Sequence, residues 1–141
     1  MTTISTTRLN RQGSALRWPL AFAAVVATVA HIPVIAPHLN EAPYMGVLFI
    51  VLTAACLFLA AAAVLRDIPA VYAASAATCG LAIAGYAATR LVAFPMLADD
   101  VGNWFEPLGI ISILSESVVV AISLVALRRS TRRFNYTRPR S

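Results

Sequence analysis

The sequence contains no lysine, only two cysteines and few charged residues of either sign. Of its 141 residues, 12% are charged and 60% are hydrophobic, and the mean hydropathy is +0.78. Soluble domains have about a quarter of their residues charged, so this composition excludes an ordinary soluble domain. Its hydrophobicity excludes a disordered chain, and two cysteines are too few for a disulfide scaffold. The remaining class is an integral membrane protein.

The chain also lacks the motifs that carry hydrolytic, redox or nucleotide chemistry. It has no G-x-S-x-G, no H-E-x-x-H, no C-x-x-C and no phosphate-binding glycine loop. Its eleven basic residues are all arginine and lie mainly in two short tails, which is typical of membrane orientation rather than nucleic-acid binding. We therefore predict a non-enzymatic membrane protein with no nucleic-acid partner.

Four apolar segments lie at residues 18–35, 44–65, 70–94 and 108–127. Each is close to the roughly 20 residues that a helix needs to cross a bilayer. A proline, which is tolerated in the first helical turn, lies at or just before each start: Pro19, Pro43, Pro69 and Pro107. The pattern predicts an all-α, four-transmembrane-helix antiparallel bundle between a polar tail, residues 1–17, and a polybasic tail, residues 128–141.

The charges of the connections alternate along the chain. The tails and the second loop, residues 66–68, carry arginine, whereas the first loop, residues 38–41, and the third loop, residues 97–106, carry acidic residues only. The positive-inside rule then predicts both termini in the cytoplasm and a multi-pass protein of the plasma (inner) membrane. We expect the polybasic tail to attract anionic lipid headgroups, and the first span to be retained rather than cleaved as a signal peptide.

Small residues follow one another at four-residue spacing in the third span: Ala76, Gly80, Ala84 and Ala88. Such a ridge lets helix backbones approach closely in a membrane. We predict that it packs against another helix of the bundle. The alternative is that this face receives a partner subunit or a second copy of the chain.

Three ionisable side chains lie within the spans, where each needs a partner: His31, Arg90 and Glu116. Helical periodicity places one polar stripe on the third span, formed by Tyr72, Ser75, Cys79, Tyr86 and Arg90. A second polar stripe lies on the fourth span and is formed by Gly109, Ser112, Glu116 and Ser123. If the stripes face each other, Arg90 and Glu116 form an ion pair.

We therefore predict a buried polar site made of His31, Tyr86, Arg90, Ser112 and Glu116. Its ion pair either fixes the register of two helices or belongs to a site that handles protons or a ligand. Both alternatives stay open at this point.

A second hypothesis is a metal or cation site at the outer face, formed by His38, Glu41, Asp99, Asp100 and Glu106. The alternative is a solvated acidic rim. If the first helix ran through Pro33 and Pro37, both histidines would lie on one helix and could not ligate opposite sides of a haem iron, and no other span has a histidine. No cofactor is therefore predicted, although a haem with one histidine ligand or a divalent metal stays open. The two cysteines, Cys56 and Cys79, are expected to be small apolar fillers.

Residues 42–49 read APYMGVLF and residues 99–109 read DDVGNWFEPLG. These segments resemble the APYxGxLF and DxxGNWxEPLG segments of a group of small bacterial four-helix membrane proteins. The resemblance covers the chain from His31 to Glu116, and it implies a topology but no activity.

Short loops, small-residue faces and the lack of a catalytic motif favour an accessory or assembly subunit of a larger membrane complex, or a homo-oligomer. The expected partners are the lipid bilayer and another membrane protein or a second copy. The alternative function is a small carrier or a ligand- or metal-binding protein with an outward-facing pocket around Arg90 and Glu116.

Overall fold

The computed structural model describes the backbone of residues 4–136 and the side chains of residues 15–131. The chain forms four α-helices, α1 (Ile4–Glu41), α2 (Pro43–Leu65), α3 (Pro69–Leu91) and α4 (Pro107–Tyr136), and a short 3-10 helix at Ala98–Asp100. No strand occurs in the described part of the chain. Each α-helix contains a segment that is long and apolar enough to cross a membrane. The predicted all-α fold with four membrane-span helices is confirmed.

The proline positions mark three of the four helix starts as predicted. Pro43, Pro69 and Pro107 each occupy the first position of their helix. Pro19 instead lies inside α1, because that helix already begins at Ile4 within the predicted polar tail.

The expected first loop is the last turn of α1, which runs on through Pro33 and Pro37. Near these prolines the side chains of His31, His38 and Asn40 each donate a hydrogen bond to the carbonyl oxygen four residues earlier, at 2.6, 2.7 and 3.0 Å. These bonds do not replace the two backbone bonds that Pro33 and Pro37 remove, whose acceptors would be the carbonyl oxygens of Val29 and Pro33. Because the helix nevertheless continues to Glu41, the expectation of a loop was wrong.

The other helix ends also differ from the predicted bounds. Helix α3 ends at Leu91, three residues before the predicted end of the span. Helix α4 continues to Tyr136, so Arg128 and Arg129 of the polybasic tail lie on a helix. The last residues of that tail, 137–141, lie outside the described residues.

The first two connections between the helices are short, and the third, residues 92–106, is longer. Ala42 alone, fully buried, links α1 to α2. The turn brings Gly46 against Leu39, where an added Cβ would lie only 2.7 Å from the Leu39 backbone nitrogen. The second connection consists of residues 66–68, as predicted.

The bundle has a well-packed end and an open end. Helix α1 packs against α2 and α4, and α3 packs against α4, whereas α2 and α3 contact each other less. At the end where Leu65 and Pro69 lie, called here the core end, small side chains fill the interior. The fully enclosed members include Leu20, Ala27, Cys56, Ala63, Cys79 and Val119. We call the opposite end, where Glu41 and Pro107 lie, the cavity end.

Large apolar side chains cover the outside of the bundle. Phe22, Phe58 and Leu81 are each more than 70% exposed. A continuous apolar surface of this kind is a liability in water and is the normal lipid-facing surface of a membrane protein. Exposure and helix length together indicate a multi-pass membrane protein.

The contact at Gly46 predicts opposite effects of the same substitution at two glycines. Gly46→Ala must displace the backbone near Leu39, and we expect it to lower the free energy of unfolding by about 1–3 kcal/mol. Gly80→Ala is the control, because an added Cβ there meets nothing within 4 Å. It should be neutral or stabilise the protein by up to about 1 kcal/mol, since alanine favours the helix. Thermal unfolding in detergent measures both, and equal effects would contradict the assigned close approach.

Candidate functional site

A hydrogen-bonded network joins α1 to α4 in the apolar interior of the bundle. The Ser112 hydroxyl lies 3.1 Å from Nε2 of His31 and 3.2 Å from Oε1 of Glu116. The same Oε1 lies 3.5 Å from Nε2 of His31. Glu116 is 1% exposed and His31 is 4% exposed, so this network is shielded from solvent and lipid.

The hydrogen count of this network follows from its geometry. Nδ1 of His31 lies 2.6 Å from the carbonyl oxygen of Ala27, which can only accept, so Nδ1 carries a proton. The Ser112 hydroxyl has one hydrogen and can donate either to His31 or to Glu116. The other link needs a proton held on the imidazole or on the carboxyl group. The three side chains therefore make a complete network when His31 and Glu116 share one further proton.

Arg90 forms a separate ionic cluster at the end of α3. Its Nη1 lies 2.9 Å from Oδ1 of Asp100, and its Nη2 lies 2.9 Å from Oε2 of Glu106. Its guanidinium carbon lies 4.4 Å from the centroid of the Tyr86 ring, in cation–π contact. Arg90 is 5% exposed, and the two carboxylates compensate the charge of its guanidinium.

The predicted ion pair between Arg90 and Glu116 was therefore wrong. Arg90 turns toward the third connection, where Asp100 and Glu106 lie closer to the end of α3. Glu116 instead bonds to Ser112 and lies against His31. Arg90 and Glu116 thus have different partners. Each polar stripe lies on the buried side of its helix.

The third connection, residues 92–106, folds back onto the helices that flank it. The amide of Gly102 donates to the carbonyl oxygen of Arg90 at 3.0 Å, and the Tyr86 hydroxyl donates to the carbonyl oxygen of Trp104 at 3.1 Å. The connection turns at Gly102, whose φ of 81° favours glycine. From α2, the Tyr44 hydroxyl donates to the carbonyl oxygen of Pro95 at 2.7 Å. The connection thus closes over the cavity end.

Between α2 and α3 the bundle encloses a cavity of about 590 Å³. This volume lies within the range of small-molecule sites, about 300–1,000 Å³. Its walls are mostly apolar side chains of α2 and α3, and its polar lining comes from both networks described above. On the outside, between α2 and α3, the lining residues Leu48, Val51 and Leu81 are more than half exposed. The cavity therefore opens to the side of the bundle, which is the lipid-facing side of a membrane helix bundle.

All five residues of the predicted buried polar site line this one cavity: His31, Tyr86, Arg90, Ser112 and Glu116. The residue that sequence reasoning missed is Phe49. Its ring lies 5.6 Å from that of His31 and 4.9 Å from that of His38, measured between centroids. In the sequence, only its position three residues after Gly46, on the same face of α2, pointed to Phe49. A phenylalanine in an apolar span is not otherwise unusual.

The five residues proposed as an outer-face metal or cation site do not form one. Among the side chains described, no group of three or more His, Cys, Asp and Glu residues could hold a metal ion. Asp100 and Glu106 form ion pairs with Arg90, and His38 donates a hydrogen bond to the carbonyl oxygen of Val34. Glu41 and Asp99 are exposed, as expected for the solvated acidic rim.

The small-residue ridge of α3 does not pack inside the bundle as expected. Ala84 is exposed, Ala88 lines the cavity, and an added Cβ at Gly80 meets nothing within 4 Å. The closely packed side of α3 is instead its polar stripe. The two cysteines are free and buried in the hydrophobic core, in agreement with their expected role as fillers.

No family model, no curated protein and no solved structure matches this chain.

The ionic cluster predicts a non-additive pair of substitutions. Either carboxylate alone still compensates Arg90, so Asp100→Asn and Glu106→Gln should each cost about 1 kcal/mol of unfolding free energy or less. The double variant leaves a buried guanidinium without a counter-charge and should cost about 3–5 kcal/mol. A double-mutant cycle by thermal unfolding tests this.

Asp99→Asn is the matched control for that cycle, since Asp99 is exposed and makes no recorded ion pair among the described residues. It should leave the unfolding free energy unchanged. Strictly additive effects of Asp100→Asn and Glu106→Gln would refute the shared role of the two carboxylates.

Proposed function

We propose that this chain is a membrane protein that binds a small ligand in the cavity between α2 and α3, as a ligand-binding protein or carrier. The observation that carries the proposal is the combination of a cavity of about 590 Å³ with buried ionisable groups on its wall. Intramembrane ionisable side chains are costly and usually mark a site of function. A purely structural bundle has no need to keep such groups beside an open volume.

Two residues that line the cavity have a polar atom without a partner among the described side chains. Both contacts of the Glu116 carboxyl group are made by Oε1, which leaves Oε2 without one. Nε of Arg90 is buried and lacks a hydrogen-bond partner. A buried polar atom without a partner costs free energy, and a ligand that pairs with this Nε recovers part of it. The two atoms supply an acceptor and a donor for such a ligand.

A second candidate function is the accessory or assembly subunit, which acts by packing against a partner or against a second copy. It is favoured by the exposed small-residue face of α3, where Ala77 and Ala84 are exposed and Gly80 has open space above it. In a membrane, such a face lets a further helix approach closely. This surface is distinct from the cavity wall, so the two functions are compatible.

For the orientation, we propose a plasma-membrane protein with both termini in the cytoplasm and the cavity end outside. Support comes from the arginine residues of the core end and the acidic residues of the cavity end. The side chains of Arg132, Arg133, Arg138 and Arg140 lie outside the described residues, and their attraction to anionic headgroups remains part of this proposal.

Two matched glycine substitutions test the proposed ligand. Gly85 lines the cavity and Gly80 does not, and an added Cβ meets nothing within 4 Å at either position. Gly85→Trp places an indole at the mouth of the cavity and should remove a co-purifying small molecule seen by native mass spectrometry. Gly80→Trp should retain that molecule but should disrupt a complex with another chain. A co-purifying mass that survives Gly85→Trp would argue against the cavity as its site.

Cysteine accessibility tests the orientation. The native Cys56 and Cys79 are buried, so they can stay in place. A membrane-impermeant maleimide added to intact cells should label Asp99→Cys at the cavity end and should label Arg129→Cys only after lysis. The reverse labelling would invert the proposed topology.

A further inference from the structure

We infer that the ligand of this cavity is a hydrophobic cation that enters sideways from the membrane between α2 and α3. This inference rests on the proposed ligand-binding function and adds the chemical class of the ligand. It is carried by the charges on the cavity wall, by the aromatic side chains beside them, and by the position of the opening.

The charge balance of the wall favours a cation. The lining contains one guanidinium, on Arg90, and three carboxyl groups, on Asp100, Glu106 and Glu116. Asp100 and Glu106 both pair with Arg90, so that end of the cavity carries two negative charges and one positive charge. Glu116 adds a carboxyl group that has no arginine partner and whose charge is balanced only by the proton that it shares with His31. An anionic ligand would be repelled from this wall, whereas a cationic ligand is attracted to it.

Glu116 offers the position where the charge of the ligand would lie. Glu116 borders the cavity and is almost fully buried, and its Oε2 has no hydrogen-bond partner among the described residues. Ser112 and His31 hold the other oxygen, Oε1, and so fix the orientation of the carboxyl group. A carboxyl group of fixed orientation in an apolar cavity interacts strongly with a nearby positive charge, because little water screens the pair.

Aromatic rings complete the environment that a cation prefers. Phe49 on α2 and Tyr86 on α3 line opposite walls, and Tyr44 lines the cavity near the third connection. The face of an aromatic ring attracts a cation, and the guanidinium of Arg90 already lies over the Tyr86 ring. The same rings also contact the apolar body of a hydrophobic cation.

The position of the opening sets the route of entry. The third connection covers the cavity end, tied down by the Tyr44 and Tyr86 hydroxyl groups. The apolar residues Leu48, Val51 and Leu81 border the lateral opening and are exposed on the lipid-facing side. A molecule that dissolves in the bilayer can pass this border without crossing a polar surface. A small hydrophilic cation cannot, so the cation must carry a substantial apolar body.

Two probe ions of nearly the same shape test the sign of the charge. Tetraphenylphosphonium is a cation and tetraphenylborate is its anionic counterpart. Binding of each to the full chain in detergent is measured by equilibrium dialysis, with Gly85→Trp as the blank that subtracts uptake by micelles. We expect specific binding of tetraphenylphosphonium and at least about tenfold weaker binding of tetraphenylborate. Equal binding of the two ions, or binding of the anion alone, overturns the inference.

Substitution of Glu116 tests the assigned position of the charge. Glu116→Gln should weaken tetraphenylphosphonium binding about tenfold or more, whereas the same change at Glu41, which is exposed and outside the cavity, should leave it unchanged. Phe49→Leu keeps the apolar volume but removes the ring, and should weaken binding of the cation a few-fold without affecting the anion. This second variant keeps the test valid if Glu116→Gln fails to fold. Unaltered cation binding in both variants overturns the assignment.

The failure of this inference and the failure of the proposed function give different results. If neither ion binds while a co-purifying mass is still lost in Gly85→Trp, the cavity has a ligand but that ligand is not a hydrophobic cation. If no co-purifying mass is found and neither ion binds, both proposals fall.

Discussion

The hydrogen bonds among His31, Ser112 and Glu116 are the constraint on which the arrangement of the helices depends. Polar groups buried in an apolar bundle must find their partners inside the protein, and here the partners lie on α1 and α4. A rotation of either helix by one residue, about 100°, would break the contacts that His31 makes with Ser112 and Glu116. With α1 thus held between α2 and α4, helices α2 and α3 meet mainly at the core end. The cavity is the space that this arrangement leaves between them.

The second ionic cluster serves a different purpose. Arg90 joins the end of α3 to two acidic residues of the third connection, and its own carbonyl oxygen accepts from the Gly102 amide. One residue therefore organises the segment that covers the cavity end through both its side chain and its backbone. Because Asp100 and Glu106 satisfy Arg90, one oxygen of the Glu116 carboxyl group stays without a partner among the described side chains. Separation of the charges into two clusters is what makes the cavity chemically distinctive.

The number of helices and the buried side of α3 follow from the sequence, whereas the pairing of charges does not. Segment length and proline position predict the spans, and helical periodicity places Ser75, Cys79 and Arg90 on one face, which is buried. The partner of Arg90 depends on the folding of a fifteen-residue connection, whose path no periodicity describes. The continuation of α1 through Pro33 and Pro37 runs against the helix-breaking propensity of proline, so propensity alone could not predict it. Small residues allow close approach, but their spacing cannot tell whether the approaching helix belongs to the same chain.

Because the cavity opens sideways, its ligand exchanges with the bilayer, and its occupancy can be written in terms of the ligand concentration there. A ligand that arrives through the bilayer is present there at its aqueous concentration multiplied by its partition coefficient. For a strongly lipophilic molecule, a site of modest intrinsic affinity is then filled at low concentrations in water. By mass action, such a ligand can fill the cavity without many close contacts. A mostly apolar wall between α2 and α3 that fits the ligand loosely is then sufficient. Selectivity among lipophilic molecules then rests on the few polar groups of the wall rather than on its shape.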